Sequence, residues 1–287
     1  VEHLVDVAPG TQLWVEERGD DAATPVLLVM GAASSGLVWP DALVDRLAAA
    51  GHRVVRYDHR DTGRSTWGFD ARPYELRELA EDAVRVLDAL GIERAHVVGM
   101  SMGGLLTQLL LLDHPDRMRS ATLFCTGPLA GAPGAADLPG PAPELLAVWA
   151  TMAEPRDEAA ELEWRVAHWR ALNGSGTPFD GAEFRALELR VVRHSGRSDM
   201  PVAHALAGTG GLDRGAELAG TGVPTLVVDA PADPAYPPPT AAVLAAALGA
   251  RTVTVPGMGH ALGAAVLGPL LDAVEEHLAA VDRRTAG

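Results

Sequence analysis

Three residues in this chain, a serine, an aspartate and a histidine, each stand in a glycine- or proline-rich turn and together could perform nucleophilic catalysis. Gly99-Met100-Ser101-Met102-Gly103 follows the apolar run AHVVGM and opens the leucine-rich stretch GLLTQLLLLDHPD. A sharp turn from strand into helix forces its central residue into strained backbone angles and leaves no room for side chains two positions to either side, which accounts for glycine at 99 and 103. The turn exposes the Ser101 hydroxyl above the sheet. The free N–H groups and positive end of the helix that begins there favour an oxyanion beside it.

A serine hydroxyl needs a base to take its proton, and the base needs an acid to orient it. Of the ten histidines, His260 in VPGMGHAL lies in a glycine-flanked loop after the last apolar run and before the final helix. The stretch LVVDAPADPAYPP offers two acids. Asp229 ends the strand itself, whereas Asp233 lies in the loop beyond, where prolines stiffen the turn. Ligands and catalytic groups gather beyond the carboxyl ends of sheet strands, so Asp233 is the preferred acid and Asp229 reads as a strand-end hydrogen-bonding residue. His59, His96 and His114 are assigned packing or surface roles, and His168, His194 and His204 solvated helix positions in preference to the alternative that one of them touches a ligand. Asp58, Arg60, Asp61 and Arg64 are expected to hydrogen-bond a tight turn that Gly63 permits, with Arg60 ordering a nearby loop.

The elements that must position these groups alternate. TQLWVEERG (11 to 19) has the polar–apolar alternation of a half-exposed antiparallel strand near a sheet edge. PVLLVMG, HRVVRYD, AHVVGM, SATLFCTG, PTLVVDA and RTVTVPG are short apolar runs of the kind buried on both faces of a parallel sheet. Helical periods separate them at 39–51, 76–92, 104–116, 240–249 and 267–281, which predicts an α/β fold with a mostly parallel, doubly wound sheet. From Pro128 to about Leu212 the rhythm stops, and four helices of moderate length fit instead. The expected organisation is a core of residues 1–127 and 213–287 with a helical cap, 128–212, inserted into it.

Composition narrows the function. All 23 basic residues are arginine against 38 acidic ones, giving a formal charge of −15, and no basic run exists to bind a phosphate backbone. Cys125 is the only cysteine, so neither an internal disulfide nor a thiolate metal cluster can form. No dinucleotide or phosphate-loop spacing and no metal-ligand constellation occurs, so neither cofactor nor metal is expected. The first residues, VEHLVDVAPG, lack a signal pattern, and the apolar runs stop short of membrane-spanning length. A soluble, cytoplasmic protein is expected, as monomer or homodimer, with no nucleic-acid or membrane partner.

The order Ser101, Asp233, His260 is that of α/β-hydrolases, which the chain resembles over essentially its full length. LLVMGAASSGLVWPDALVDRLAAAGHRVVRYDHRDTGRS, GMSMGG, ADPAYPP and PGMGHAL are similar to the aclacinomycin methylesterase group of actinobacterial polyketide pathways. The resemblance implies an α/β-hydrolase fold, an oxyanion hole formed by the backbone N–H groups of Ala32 and Met102, and a carboxymethyl ester of an anthracycline-like aromatic polyketide as substrate. Glycine is usual in that group at the position of Ala32, and MG stands at 30–31 where most relatives carry histidine-glycine. Gly31 is expected among the substrate-binding residues, and Trp149, Met152, Trp164, Trp169 and Phe184 of the cap would offer the substrate a flat apolar surface. Loss of carbon dioxide from the acid product is a further implication. Competing expectations are perhydrolase or haloperoxidase chemistry, lactone opening or carbon–carbon bond hydrolysis on the same residues, and a hydrolase-like binding protein without catalysis.

Overall fold

The computed structural model describes residues 1–285 and contains one eight-stranded sheet in the order β1-β2-β4-β3-β5-β6-β7-β8. Its strands are β1 (Glu2–Ala8), β2 (Thr11–Arg18), β3 (Thr24–Val29), β4 (His52–Tyr57), β5 (Ala95–Met100), β6 (Met118–Phe124), β7 (Thr225–Asp229) and β8 (Arg251–Thr254). β1 and β2 form an antiparallel hairpin, β2 pairs antiparallel with β4, and the remaining strands run parallel. The edge is β1, a strand absent from the expectation above. Its segment EHLVDVA buries only Val5 fully, too weak an apolar signal beside the six-residue apolar runs of the interior.

The parallel strands are covered on both faces. Alternate residues Leu27, Val29, Val97, Leu123 and Val227 pack with α2 (Leu76–Ala89), α3 (Met102–Asp113) and α8 (Thr240–Leu248). Their neighbours Val26, Leu28, Val98, Phe124 and Val228 pack with α1 (Asp41–Ala49) and α9 (Ala264–Thr285). Period-two alternation thus places one side chain in each of two cores, and because both cores are apolar the strands read as continuous hydrophobic runs.

Between β6 and β7 lie α4 (Pro143–Trp149), α5 (Glu158–Asn173), α6 (Gly181–Ser195) and α7 (Ala203–Leu206), with no strand among the described residues. α5 starts at Asp157, whose carboxylate accepts the Ala160 N–H, and α6 starts at Asp180 and stops at the left-handed Gly196. The core on the α1 and α9 side continues into this segment through Trp169, Leu172 and Phe184. None of the described helices is long and apolar enough to cross a membrane.

Candidate active site

Parallel strands carry their carboxyl ends to one edge, and there the loops after β3, β5, β7 and β8 meet. Ser101 joins β5 to α3 with φ 57° and ψ −123°, a left-handed conformation that a non-glycine residue adopts only under constraint. The constraint is visible in its neighbours. A Cβ on Gly103 would strike the Val29 carbonyl, and one on Gly99 would strike Thr107 Oγ1 and the Gly103 carbonyl. Only glycine lets β3, β5 and α3 approach this closely, and the Ser101 N–H is pinned to the Phe124 carbonyl at 3.2 Å.

Asp233 follows β7 in a buried turn, where its Oδ1 accepts the N–H groups of Ala235 (2.8 Å) and Tyr236 (3.2 Å). His260 follows β8, with its Nδ1 3.1 and 3.0 Å from the two Asp233 carboxylate oxygens. Burial alone would raise the Asp233 pKa. The His260 ring and the two backbone donors outweigh it, and the carboxyl lies below its usual range. An ionised Asp233 holds the His260 proton on Nδ1 and leaves Nε2 free to act as a base. The His260 backbone is itself fixed by α5, since its N–H donates to the Leu172 carbonyl at 2.8 Å, and its ring stacks on Tyr236 with centroids 5.9 Å apart. Asp229 is occupied elsewhere, accepting the Thr254 hydroxyl at 3.0 Å across the β7–β8 pair.

Ser101 and His260 line one cavity of about 300 Å³. Gly31 and Ala32 also line it, and a Cβ on Gly31 would lie 3.1 Å from Ser101 Cβ and 3.6 Å from its hydroxyl. Met102 opens α3, so its N–H belongs to the first turn, where no intrahelical carbonyl is available, while its side chain is buried in the core. Trp149, Met152 and Trp169 form part of the cavity wall. Trp164 and Phe184 are not among its lining residues. The Trp164 indole donates to Thr151 Oγ1 at 2.9 Å under the Arg156 guanidinium, and Phe184 stacks between Trp169 and Phe179 beside a neighbouring cavity that it shares with Val38 and Asp41.

The histidines of the inserted segment depart from expectation. None of the three is a solvated helix position. His168 lines the cavity, His194 donates its Nε2 proton to an Asp58 carboxylate oxygen at 2.7 Å, and His204 is 5% exposed with both ring nitrogens engaged. Each lies on a helix face that a neighbouring element covers, and which face that is depends on packing between distant elements. The Asp58 turn agrees with its reading: Gly63 has φ 49°, and a side chain there would collide with the Asp58 carboxylate, which accepts the Arg64 N–H at 2.8 Å. Arg60 departs from it. Its guanidinium points to Asp82 of α2 at 2.6 and 2.7 Å, and its carbonyl meets His204 Nε2 of α7 at 2.9 Å.

Cys125, Asp233 and His260 bring three potential ligand atoms within 4.8 Å of one another. Burial, with Asp233 adding to it, pushes the Cys125 thiol well above its ordinary range, so it is a neutral S–H facing the Gly259 carbonyl at 3.4 Å.

A serine at a strand–helix elbow, on a parallel sheet whose next loops carry a paired aspartate and histidine, defines a class. The α/β-hydrolase fold family matches residues 24–263, and the chain belongs to that family. Within it the chain is 45% identical over 280 residues to rhodomycin D methylesterase DauP of Streptomyces sp. (strain C5) and 44% identical to DnrP of Streptomyces peucetius, each alignment covering 92% of this chain and 94% of the relative. A solved hydrolase from Pseudomonas aeruginosa PA01, 28% identical, superposes with a TM-score of 0.73 over 96% of this chain and 98% of that one. The protein is a carboxylic ester hydrolase.

Proposed function

We propose that this enzyme hydrolyses the methyl ester of an anthracycline-like aromatic polyketide through an acyl-enzyme on Ser101. The observation that carries the reading is the Asp233–His260 pair, 3.0 Å apart, with His260 and Ser101 on the wall of one cavity. His260 Nε2 takes the Ser101 proton as Oγ attacks the ester carbonyl, and the N–H groups of Ala32 and Met102 hold the oxyanion. Collapse releases methanol, protonated by His260. Water, deprotonated by the same ring, then cleaves the acyl-enzyme to the free acid and regenerates Ser101. Asp233 fixes the ring and stabilises its cation.

The names of the two Streptomyces relatives support a methyl ester of rhodomycin type. Trp149, Met152 and Trp169 supply apolar wall for a planar substrate, with residues 128–212 acting as a cap over a core of 1–127 and 213–287. A β-keto acid product would lose carbon dioxide, replacing the carboxyl by hydrogen. Mass spectrometry of anthracycline methyl esters incubated with the parent enzyme and with Ser101→Ala tests the reading. The expected product lacks the mass of one methylene, or of a methylene plus carbon dioxide if decarboxylation follows. Turnover by Ser101→Ala near the parental rate refutes the nucleophile.

A further inference from the structure

The loop after β3 is tied down at both ends by histidines. His59 Nε2 lies 3.0 Å from the Met30 carbonyl. A carbonyl only accepts, so the proton is on Nε2. At the other end the Ala33 N–H donates to His204 Nδ1 at 3.0 Å, while His204 Nε2 lies 2.9 Å from the Arg60 carbonyl. These two partners permit a single state of His204: neutral, with its proton on Nε2 and a lone pair on Nδ1. Burial holds the His204 pKa down to about 4 and that of His59 to about 3, so both rings are neutral at pH 7.

The Met30 carbonyl belongs to the peptide joining 30 to 31, and the Ala33 N–H to the peptide joining 32 to 33. The intervening peptide, 31 to 32, carries the Ala32 N–H. Each histidine therefore fixes the peptide plane on one side of that group. Ala33 has φ 56°, a left-handed conformation that an L-residue leaves readily when its contacts are removed. Beyond it, Ser35 Oγ and the Gly36 N–H donate to Asp58 Oδ1 at 2.5 and 2.7 Å, so the residues that follow the His204 anchor are held independently of it.

We infer that His204 is a positioning residue for ester hydrolysis: by accepting the Ala33 N–H it sets, together with His59, the orientation in which Ala32 presents its own N–H to the developing oxyanion. The inference rests on the reading of Ala32 as an oxyanion donor. It also gives the inserted segment a task beyond shaping the cavity, because His204 lies on α7 and its neighbours Pro201 and Ala205 line the cavity wall. The oxyanion loop acquires its geometry only when the end of that segment is docked.

Two substitutions separate the two bonds of this ring. Asparagine places its carbonyl oxygen where Nδ1 stands and gives up the Arg60 bond, whereas glutamine extends to the Nε2 position and gives up the Ala33 bond. His204→Gln is expected to lower kcat about 10- to 100-fold with KM within about twofold, and to weaken a trifluoromethyl ketone that forms a tetrahedral adduct by the same factor. His204→Asn is expected to stay within a few-fold of the parent in both measurements. Equal behaviour of the two variants, or a loss confined to KM, overturns the inference. Nitrogen-15 NMR of the parent protein supplies a reading that does not depend on either variant folding: a proton on Nε2 of His204 at pH 7 is expected, and a proton on Nδ1 overturns the inference. Ser101→Ala, run alongside, keeps the questions apart. Activity retained there sinks the proposed mechanism, while an inactive Ser101→Ala with a parental His204→Gln sinks only the role of His204.

Discussion

The indole N–H of Trp149 on α4 donates to Nε2 of His168 on α5 at 2.9 Å, and both side chains line the cavity that holds Ser101. An indole nitrogen can only donate, so the bond leaves His168 with its proton on Nδ1. Burial, with the His260 and Arg165 charges behind it, lowers the His168 pKa to about 4 and keeps the ring neutral. Trp149→Phe removes the donor and releases that ring. A single hydrogen bond of this kind contributes about 0.5–1.5 kcal/mol, so kcat/KM for a polycyclic methyl ester is expected to fall about two- to tenfold, and by less for p-nitrophenyl acetate. Steady-state kinetics on the two esters checks this, and equal losses on both count against contact between this wall and the large substrate.

Asp233→Asn preserves the shape of the acid while removing its charge. The amide can present its N–H to His260 Nδ1, which moves the ring proton to Nε2 and takes away the lone pair that should deprotonate Ser101. By the serine-protease precedent kcat is expected to drop by about 10⁴ near neutral pH. Asp229→Asn, which loses only a partner of Thr254, is expected to keep more than half of the parental kcat. Comparable losses in the two variants would exchange their assignments.

Gly103→Ala tests the elbow through stability. The added methyl meets the Val29 backbone carbonyl, which cannot rotate away as a flexible side chain would, so α3 must shift from β3. Overpacking at such a contact costs about 1–3 kcal/mol, and a lower thermal midpoint with reduced ester turnover is expected. Differential scanning calorimetry reads the first, and a parental midpoint would mean that the helix moves freely.

Acid should destabilise the fold through its buried histidines. His59 and His204 have pKa values near 3 and 4 in the folded chain, below the ordinary 6.5 that each regains on unfolding. Between those values the unfolded state binds protons that the native state does not. Each ring's share of stability is therefore complete above pH 6.5 and is lost as the pH falls toward the folded value, at up to about 1.4 kcal/mol per pH unit. Urea unfolding at pH 7, 6 and 5 should show the decline, and His59→Gln should flatten it. A profile unchanged by that substitution would mean that His59 is not held neutral.

Much of this was legible locally. The Gly-x-Ser-x-Gly spacing specified the elbow because the clash that demands glycine arises within a few residues of the turn. Apolar runs marked the parallel strands because burial on both faces leaves no polar positions. The edge strand β1 is not legible in this way, because a strand with one solvated face and a single fully buried residue, Val5, differs little from a loop in composition.

The sequence by itself determined the order of the strands along the chain, the strained site of Ser101, and the loops that carry Asp233 and His260. Tertiary structure alone decided which aromatic residues reach the cavity, admitting Trp149 and Trp169 while committing Trp164 to Thr151 and Phe184 to a ring stack. It also decided that His204, 171 positions along the chain from Ala33, holds that residue's N–H. The physical reason is the range of the forces. Backbone sterics and hydrophobic periodicity act over a few residues and are written locally, whereas the face a short helix buries depends on which distant element packs against it.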